Sequence, residues 1–484
     1  MSGAAEIRLP VFANGRRYAC EDLPESQTLE YECGLRVRIP CIGEDVFCEI
    51  TRRREELLED LIRLTIDDVA EFFSDFAKLW MDPKYEVRLQ AEERAARLTG
   101  YARHMIAMDY SLLGEALTHR GYTCDFVESE LGNERAMDEW AHLHSSYIRA
   151  YPAGVVLHNM VGNMPLANSF SIIWGCLTRN INIAKIPVRD PVTPLALAET
   201  FHRVDPGHPL TKSLTVAYWP HESPLADAAY RVANVVCSWG GTAALKRVKE
   251  KVPAGVQLVD FGPKWSLAVI DLDRCDPEMA ARRMAADVSF YDQEACLSPQ
   301  RLFIKGPLDK WIEPLKRHLD TASGCIPKEC WNRDALAHCA ITKLEAMYRG
   351  WRVYSGKDWT LMVVSDPAAV KEHPLGRTLF IHPVERISDV ARYLTPQTQV
   401  VSCLPWELGV EHREEWAAAG AVRVVELGMS RRPQPGAVHD GLRPLTRLVR
   451  WVSHEEGAHG SNKYGNDDRD YPQEFADDML FFRR

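Results

Sequence analysis

The sequence predicts an α/β protein of two domains, each organised around a parallel sheet. Three observations carry that expectation. Short apolar runs (GVVLH, NIAKIPV, SLTVAYW, VANVVCSW and VQLVDFG) alternate with amphipathic stretches around 169–179, from Pro194, near Leu225 and from Thr242, which is the pattern of βαβ units. A second series opens near Trp265 with SLAVIDL, a helical stretch after Pro277, RLFIKG and a further helical stretch at 311–319. Lastly, 484 residues, 46% of them hydrophobic, exceed the roughly 250 to 300 residues at which a single core stops growing.

Taken in order, residues 1–60 alternate apolar and polar side chains in runs such as LRVRIP and VFCEI, broken by Gly34 and Gly43, and predict an N-terminal β-rich extension. From Arg53 to about Arg120 the spacing of Leu57, Leu58, Leu61, Ile62, Val69, Phe72 and Phe73 is helical. The first α/β unit then spans 61–264 and the second 265–429. RVVELG reads as a closing strand and LTRLVRWV as a closing amphipathic helix, with 430–454 returning to the first unit. The polar segment 455–484 reads as a mobile tail or intersubunit arm. No repeat of solenoid period is visible.

Composition excludes several classes. A net charge of −10 lacks the basic surplus that phosphate backbones require, so no nucleic-acid partner is expected. The most apolar stretch, 155–178, is interrupted by His158, Asn159, Asn163 and Asn168, and a spanning helix needs ~20 mostly apolar residues. No membrane span is expected. Thirteen cysteines at irregular spacing, behind a start that lacks a secretory pattern, fit a reducing, cytoplasmic setting.

Three segments carry chemistry. In YDQEACLSPQ, just ahead of the strand-like RLFIKG, Cys296 sits where a thiolate could face a cleft with free amides beside it; alone, the segment also reads as a buried structural thiol. In VGNMP, a small-residue turn between strand and helix, the amide of Asn163 is a neutral donor suited to an oxyanion, or simply a turn asparagine. In SWGGT, Ser238, Gly240, Gly241 and Thr242 link a strand to a helix, where backbone N–H groups and the helix dipole can meet a phosphate, although GxGxxG is absent.

In this order the segments resemble the aldehyde dehydrogenase superfamily, and more closely its fatty acyl reductase branch, the LuxC family of bacterial bioluminescence, over roughly residues 100–452. The resemblance implies an aldehyde dehydrogenase-like fold: two Rossmann-like α/β domains with parallel sheets, 61–264 binding the cofactor and 265–429 carrying the nucleophilic cysteine, plus an oligomerisation segment. It implies Cys296 as nucleophile, Asn163 as oxyanion donor, Lys185 in NIAKIPVRDPVTP as ribose-binding lysine, Ser238 to Thr242 as pyrophosphate loop, and Asp260 in VDFGPKWS at the position of the oxidising members' general base. The implied activity is reduction of an acyl thioester, on coenzyme A or a carrier protein, to an aldehyde through an acyl-Cys296 enzyme. An acyl-transferring partner enzyme and a homo-oligomer are implied by the same analogy. Aldehyde oxidation to an acid, or a silent acyl- or carrier-protein-binding scaffold, are the competing readings.

Two departures sharpen this. Where NAD-dependent members carry a Glu shortly after the lysine, this chain has Val188 followed by Arg189, which favours NADPH because a repelling carboxylate is replaced by a nearby guanidinium. Asp260 is shorter than the family's Glu and suits an enzyme that must not activate water, or it merely caps or pairs locally. The family's later Glu-Ile-Phe-Gly-Pro segment has no clean match, with Leu375-Gly376-Arg377 a distant candidate. Other features are set aside. Cys325, Cys330, His338 and Cys339 lack zinc-site spacing, so no metal is expected. His439-Asp440-Gly441 invites a catalytic dyad reading but reads better as a helix-entry turn with Asp440 near the cap, and His158, beside the oxyanion turn, reads as a satisfied core imidazole rather than a group that tunes the site.

Overall fold

A computed structural model describes residues 6–118, 120–143, 146–328 and 333–455. Two seven-stranded sheets dominate it. The first runs in the order Gln257–Phe261, Val235–Trp239, Val155–Asn159, Ile181–Lys185, Leu214–Ala217, Val11–Ala13, Arg16–Tyr18. Its first five strands are parallel. The central ones, such as Ile181–Lys185 and Leu214–Ala217, are buried at every position, as parallel strands covered on both faces must be.

The N-terminal segment is built into this sheet. A hairpin turning at Asn14 and Gly15 adds two antiparallel strands at its edge, with Val216 opposite Phe12. A separate three-stranded sheet holds Glu6–Arg8, Arg36–Pro40 and Ser26–Glu30. The expected β pattern stops there, because Asp45–Ile62 is an 18-residue helix. VFCEI looks strand-like over five residues, yet Val46, Phe47, Ile50, Leu57 and Leu61 form one buried helical face, and that longer period decides the outcome. Three further helices, Ile66–Met81, Glu86–Thr99 and Arg103–Thr118, follow within the expected helical run, and a fourth, Arg120–Leu131, extends beyond it.

The second sheet runs Arg352–Ser355, Thr360–Val363, Thr378–Pro383, Pro299–Lys305, Trp265–Asp271, Thr398–Leu404, Arg423–Glu426, parallel except for its first pair. The two sheets meet end to end. The C-terminal ends Trp239 and Phe261 of the first face loops at the N-terminal ends of the second, just before Trp265, Pro299 and Thr378. Clefts outside the carboxyl ends of parallel strands are where α/β folds bind ligands.

LTRLVRWV is not the expected helix. After a single turn, Pro444–Arg447, the chain enters the strand Val449–Glu455, which pairs antiparallel with Ser146–Pro152 and, through it, Ala141–Leu143. Seven paired residues satisfy the backbone there, and this long-range pairing outweighs the local helical pattern. The expected polar tail beyond Glu455 lies outside the described residues.

Candidate active site

Cys296 stands in the loop between helix Pro277–Ser289 and strand Pro299–Lys305, central in the second sheet. The approach to it is strained. Tyr291, Asp292 and Gln293 all have positive φ (52°, 52° and 66°), a conformation costing L-residues roughly 1–2 kcal/mol each. A second left-handed triplet, Leu375, Gly376 and Arg377, clasps the first. Gly376 N donates to Asp292 O at 2.8 Å, and Arg377 Nε to Asp292 Oδ1 at 2.6 Å. The buried Arg377 guanidinium also donates to Asp358 at 3.0 Å and Ile326 O at 2.6 Å, while Gln293 Nε2 donates to Pro299 O and Thr378 O at 2.9 and 2.6 Å. These partners over-determine a backbone that would otherwise relax.

Beyond the clasp, Cys296 O accepts from Ser266 Oγ at 2.6 Å, and Ser266 Oγ accepts from Val400 N at 3.1 Å. Cys296 is half-buried. Burial pushes its thiol up to about 12, with the charge of Asp440 adding to the rise and Arg423 and Lys264 opposing it. The resting protein therefore holds a thiol, and the site must remove its proton before it can attack.

Asn163 is brought to the same place. Gly162 allows it: a Cβ there would lie 2.5 Å from Arg189 Cβ, so the turn presses against the chain at 189–190. Asn163 Nδ2 donates to Glu294 O at 2.8 Å, two residues before the nucleophile, leaving the second amide proton for another acceptor. The Tyr101 hydroxyl lies 2.9 Å from Asn163 O and 2.7 Å from Glu294 Oε2, tying turn and loop together. Asn163, Cys296, Gly262, Lys264 and Leu375 line one cavity of about 260 Å³. Leu375 thus reaches the nucleophile cavity, while Gly376 and Arg377 serve the clasp.

On the first-sheet side lies a cleft of about 400 Å³ holding Lys185, Ser238, Gly240 and Gly241 at strand ends. Gly240 has φ 152°, and Gly241 precedes helix Thr242–Lys251, so Thr242 is its first residue and the helix N-terminus faces the cleft. Lys185 Nζ stands 2.9 Å from His221 Nδ1; burial and Lys251 bring its ammonium down to about 8. Burial, then Lys185, lowers His221 as well. Arg247 and Lys251, one helical turn apart, also line this cleft. Sequence reasoning missed both, although KRVKEK places them on one face of the helix behind SWGGT.

Two expected residues are held in ion pairs, Arg189 while still lining the cofactor cleft. The Arg189 guanidinium pairs with Glu294, donates to Thr99 O at 3.3 Å and packs 5.1 Å over the Tyr101 ring. It braces the nucleophile loop. Asp260 pairs with Lys249 Nζ at 2.8 Å and is 41% exposed, outside the residues lining the nucleophile cavity. The segment expected to be a helix-entry turn is also different: the Asp440 side chain is buried with its charge acting on Cys296, His439 is half-buried, and Arg443, not Asp440, precedes the short helix. His158 is the expected core imidazole, held by Ser171 Oγ at 2.8 Å and Asn182 Oδ1 at 3.1 Å and kept neutral by burial, which lowers it to about 4. Cys330 lies outside the described residues, among which no three metal-ligating side chains converge. No described helix is long and apolar enough to cross a membrane.

A third hollow, about 70 Å³, is walled by Phe126, Phe170, Trp174, Tyr291, Leu297 and Val438. Shared walls join the three. Trp239 borders all of them, Val161, Gly240 and Gly241 border both the cleft and the nucleophile cavity, and Met164 and Ala167 border both that cavity and the apolar hollow.

A polar cleft at strand ends, a cysteine opposite it and an asparagine beside the cysteine sit here on the aldehyde dehydrogenase fold. The chain superposes on a 3,6-anhydro-L-galactose dehydrogenase with TM-score 0.71 at 16% identity, covering 93% of this chain and 99% of that one. It matches an NADP-dependent glyceraldehyde-3-phosphate dehydrogenase from Bacillus halodurans C-125 with TM-score 0.72 at 14% identity over the same shares, 93% and 99%. Residues 61–451 match the family model described as acyl-CoA reductase (LuxC), and the chain belongs to that family. It is 35% identical to a long-chain acyl-protein thioester reductase of Vibrio harveyi over 93% of this chain and 94% of that one, and 35% identical to that of Photorhabdus luminescens over 94% and 95%.

Proposed function

We propose that the protein reduces an acyl thioester, presented on coenzyme A or a carrier protein, to an aldehyde with NADPH, through an acyl group held on Cys296. The observation that carries this reading is the junction itself: one cysteine lies where a cationic cleft and an apolar hollow meet. The relatives' name, acyl-protein thioester reductase, supports a protein-bound acyl donor.

The cleft suits a phosphorylated dinucleotide. Gly240, Gly241 and the N-terminus of helix Thr242–Lys251 would hold a pyrophosphate, Lys185 and Ser238 a ribose, and Arg247 and Lys251 a 2′-phosphate; the cations outnumber the single acid, Glu222. Bound NADPH would supply the hydride that reduces the acyl carbon. The rest falls to the chain. Cys296 attacks the thioester carbonyl, and the free proton of the Asn163 amide with the Cys296 N–H steadies the oxyanion. Collapse expels the carrier thiolate, and the same donors serve when the aldehyde forms and Cys296 leaves. The Lys249 ion pair keeps Asp260 from activating water against the acyl-enzyme, which favours reduction over release of free acid.

The apolar hollow would take the acyl chain. Trp140, Leu143 and Trp451, exposed on the small antiparallel sheet, suit self-association into a homo-oligomer, and an acyl-transferring enzyme is the fitting partner for a carrier-bound substrate. Free thiols at every described cysteine suit the cytoplasm. Incubation with acyl-CoA and NADPH should consume NADPH and yield one aldehyde per turnover. Cys296→Ala should lower that rate by on the order of 10⁴-fold or more while leaving NADPH binding intact. An unchanged rate would remove the nucleophile and the reading with it.

A further inference from the structure

The turn at His439 and Asp440 is closed by reciprocal backbone hydrogen bonds, His439 N to Leu442 O at 3.0 Å and Leu442 N to His439 O at 2.8 Å. Asp440 and Gly441 at its corners take φ 53° and 80°. The turn is wedged into the site: the His439 ring packs against Trp239 and Phe261 at centroid distances of 4.9 and 5.4 Å, and both of those rings line the Cys296 cavity. The Asp440 side chain is 5% exposed. Its Oδ1 makes no hydrogen bond among the described residues, and neither does His439 Nε2, which stands 3.6 Å from it. An unsatisfied buried oxygen in a reaction site calls for a functional explanation.

Other carboxylates in the region are already committed: Asp260 to Lys249, Asp292 to Arg377 and Glu294 to Arg189. The charged and polar groups facing Asp440 are Lys264 from the segment joining the two sheets, Asp260 from strand Gln257–Phe261, Gln399 from strand Thr398–Leu404, and Cys296 from the nucleophile loop. Arg423 and Lys264 also face His439.

The geometry points to Asp440 as the acid–base group of this site, taking the proton from the Cys296 thiol as acylation begins and returning it to the departing carrier. The assignment rests on the acyl-thioester reading above. As the S–H bond of Cys296 breaks, an O–H bond forms on Asp440 and the sulfur electron pair makes the new C–S bond to the acyl carbon. When the carbonyl reforms, the C–S bond to the carrier breaks and the carrier sulfur takes the proton from Asp440. No oxidant or metal enters, and the carboxylate is regenerated for the next cycle.

Burial raises the Asp440 carboxyl to about 7, Lys264 working against the rise and Asp260 with it. A base near 7 is matched to neutral pH. His439, which burial holds down at about 3, stays neutral and serves as packing and orienting partner.

The test follows alkylation of Cys296 by iodoacetamide against pH, read on the Cys296 peptide by mass spectrometry, with neither substrate nor cofactor present. In the native protein the rate should rise through pH ~7 as Asp440 ionises and then level off. In Asp440→Asn that step should vanish, and both alkylation at pH 8 and acylation by acyl-CoA should fall on the order of 10²-fold. NADPH binding by fluorescence titration should be unchanged, and Asp440→Glu should restore the step. The same step in a folded Asp440→Asn protein overturns the assignment. So does a native profile without a step near 7, which decides the matter should the variants fail to fold. A native protein that shows the step yet takes no acyl group from any thioester keeps the base and refutes the substrate reading instead.

Discussion

The cleft on one side of Cys296 and the hollow on the other are built from opposite materials. The cleft gathers its cations and glycines from the ends of neighbouring parallel strands and the single helix that follows one of them: Lys185, Ser238, Gly240, Gly241, Arg247 and Lys251. The hollow gathers aromatic and aliphatic side chains from segments far apart in sequence, among them Phe126, Trp174, Tyr291 and Val438. Polar groups in the cleft take fixed positions from sheet geometry, whereas the hollow takes its shape from tertiary packing. One region selects by charge and the other by shape, and the strained loop between them holds the reacting sulfur.

The largest test of that comparison is the clasp that fixes the loop. Arg377→Met leaves Asp292 and Asp358 buried with their shared guanidinium gone, and should destabilise folding by about 3–5 kcal/mol in urea titrations. Acylation of Cys296 should fall further than NADPH affinity in the protein that remains folded, since the clasp touches the loop and not the cleft. Equal losses in both would mean that the two regions are not separable.

Next in size is the cleft itself. Arg247→Ala with Lys251→Ala should weaken NADPH by on the order of tenfold to a hundredfold, at about 1.5–3 kcal/mol for a charge-assisted contact, and leave NADH nearly unchanged. Isothermal titration with both cofactors reads this directly. Arg189→Ala in the same assay serves as contrast: its guanidinium braces Glu294, so the NADPH preference should survive its removal. Loss of the preference with Arg189 alone would return that residue to the 2′-phosphate.

The smallest effect belongs to Asp260. Its pair with Lys249 is about half exposed, and such pairs contribute roughly 0–1 kcal/mol. Asp260→Asn should therefore change steady-state aldehyde formation by no more than about twofold. A loss of several orders of magnitude would make Asp260 the site's base in place of Asp440.

The same contrast explains what could be read from the chain alone. Alternating apolar runs disclosed the parallel sheets, and SWGGT, VGNMP and DQEACLSPQ marked Gly240, Asn163 and Cys296 as candidates, because each depends on a few contiguous residues at a strand end. The strand Val449–Glu455 passed for a helix because its partner, Ser146–Pro152, lies some three hundred residues earlier. Arg189 and Asp260 have the right side chains at the right positions, and their orientation was settled by Glu294 and Lys249, which no local pattern announces. The tripeptide at 439–441 offers Asp440 as part of a dyad, but local pattern favours a plain turn, because the burial of Asp440 and the packing of His439 on Trp239 and Phe261 are tertiary.

A single-turnover experiment tests the central claim most directly. Protein is first exposed to an acyl thioester without cofactor, the mass of the Cys296 peptide is measured, and NADPH is then added under quench. The account predicts an acyl adduct on Cys296 that disappears with NADPH as an equal amount of aldehyde forms. An adduct that never appears at Cys296, or one that leaves as free acid while NADPH stays unoxidised, would contradict it.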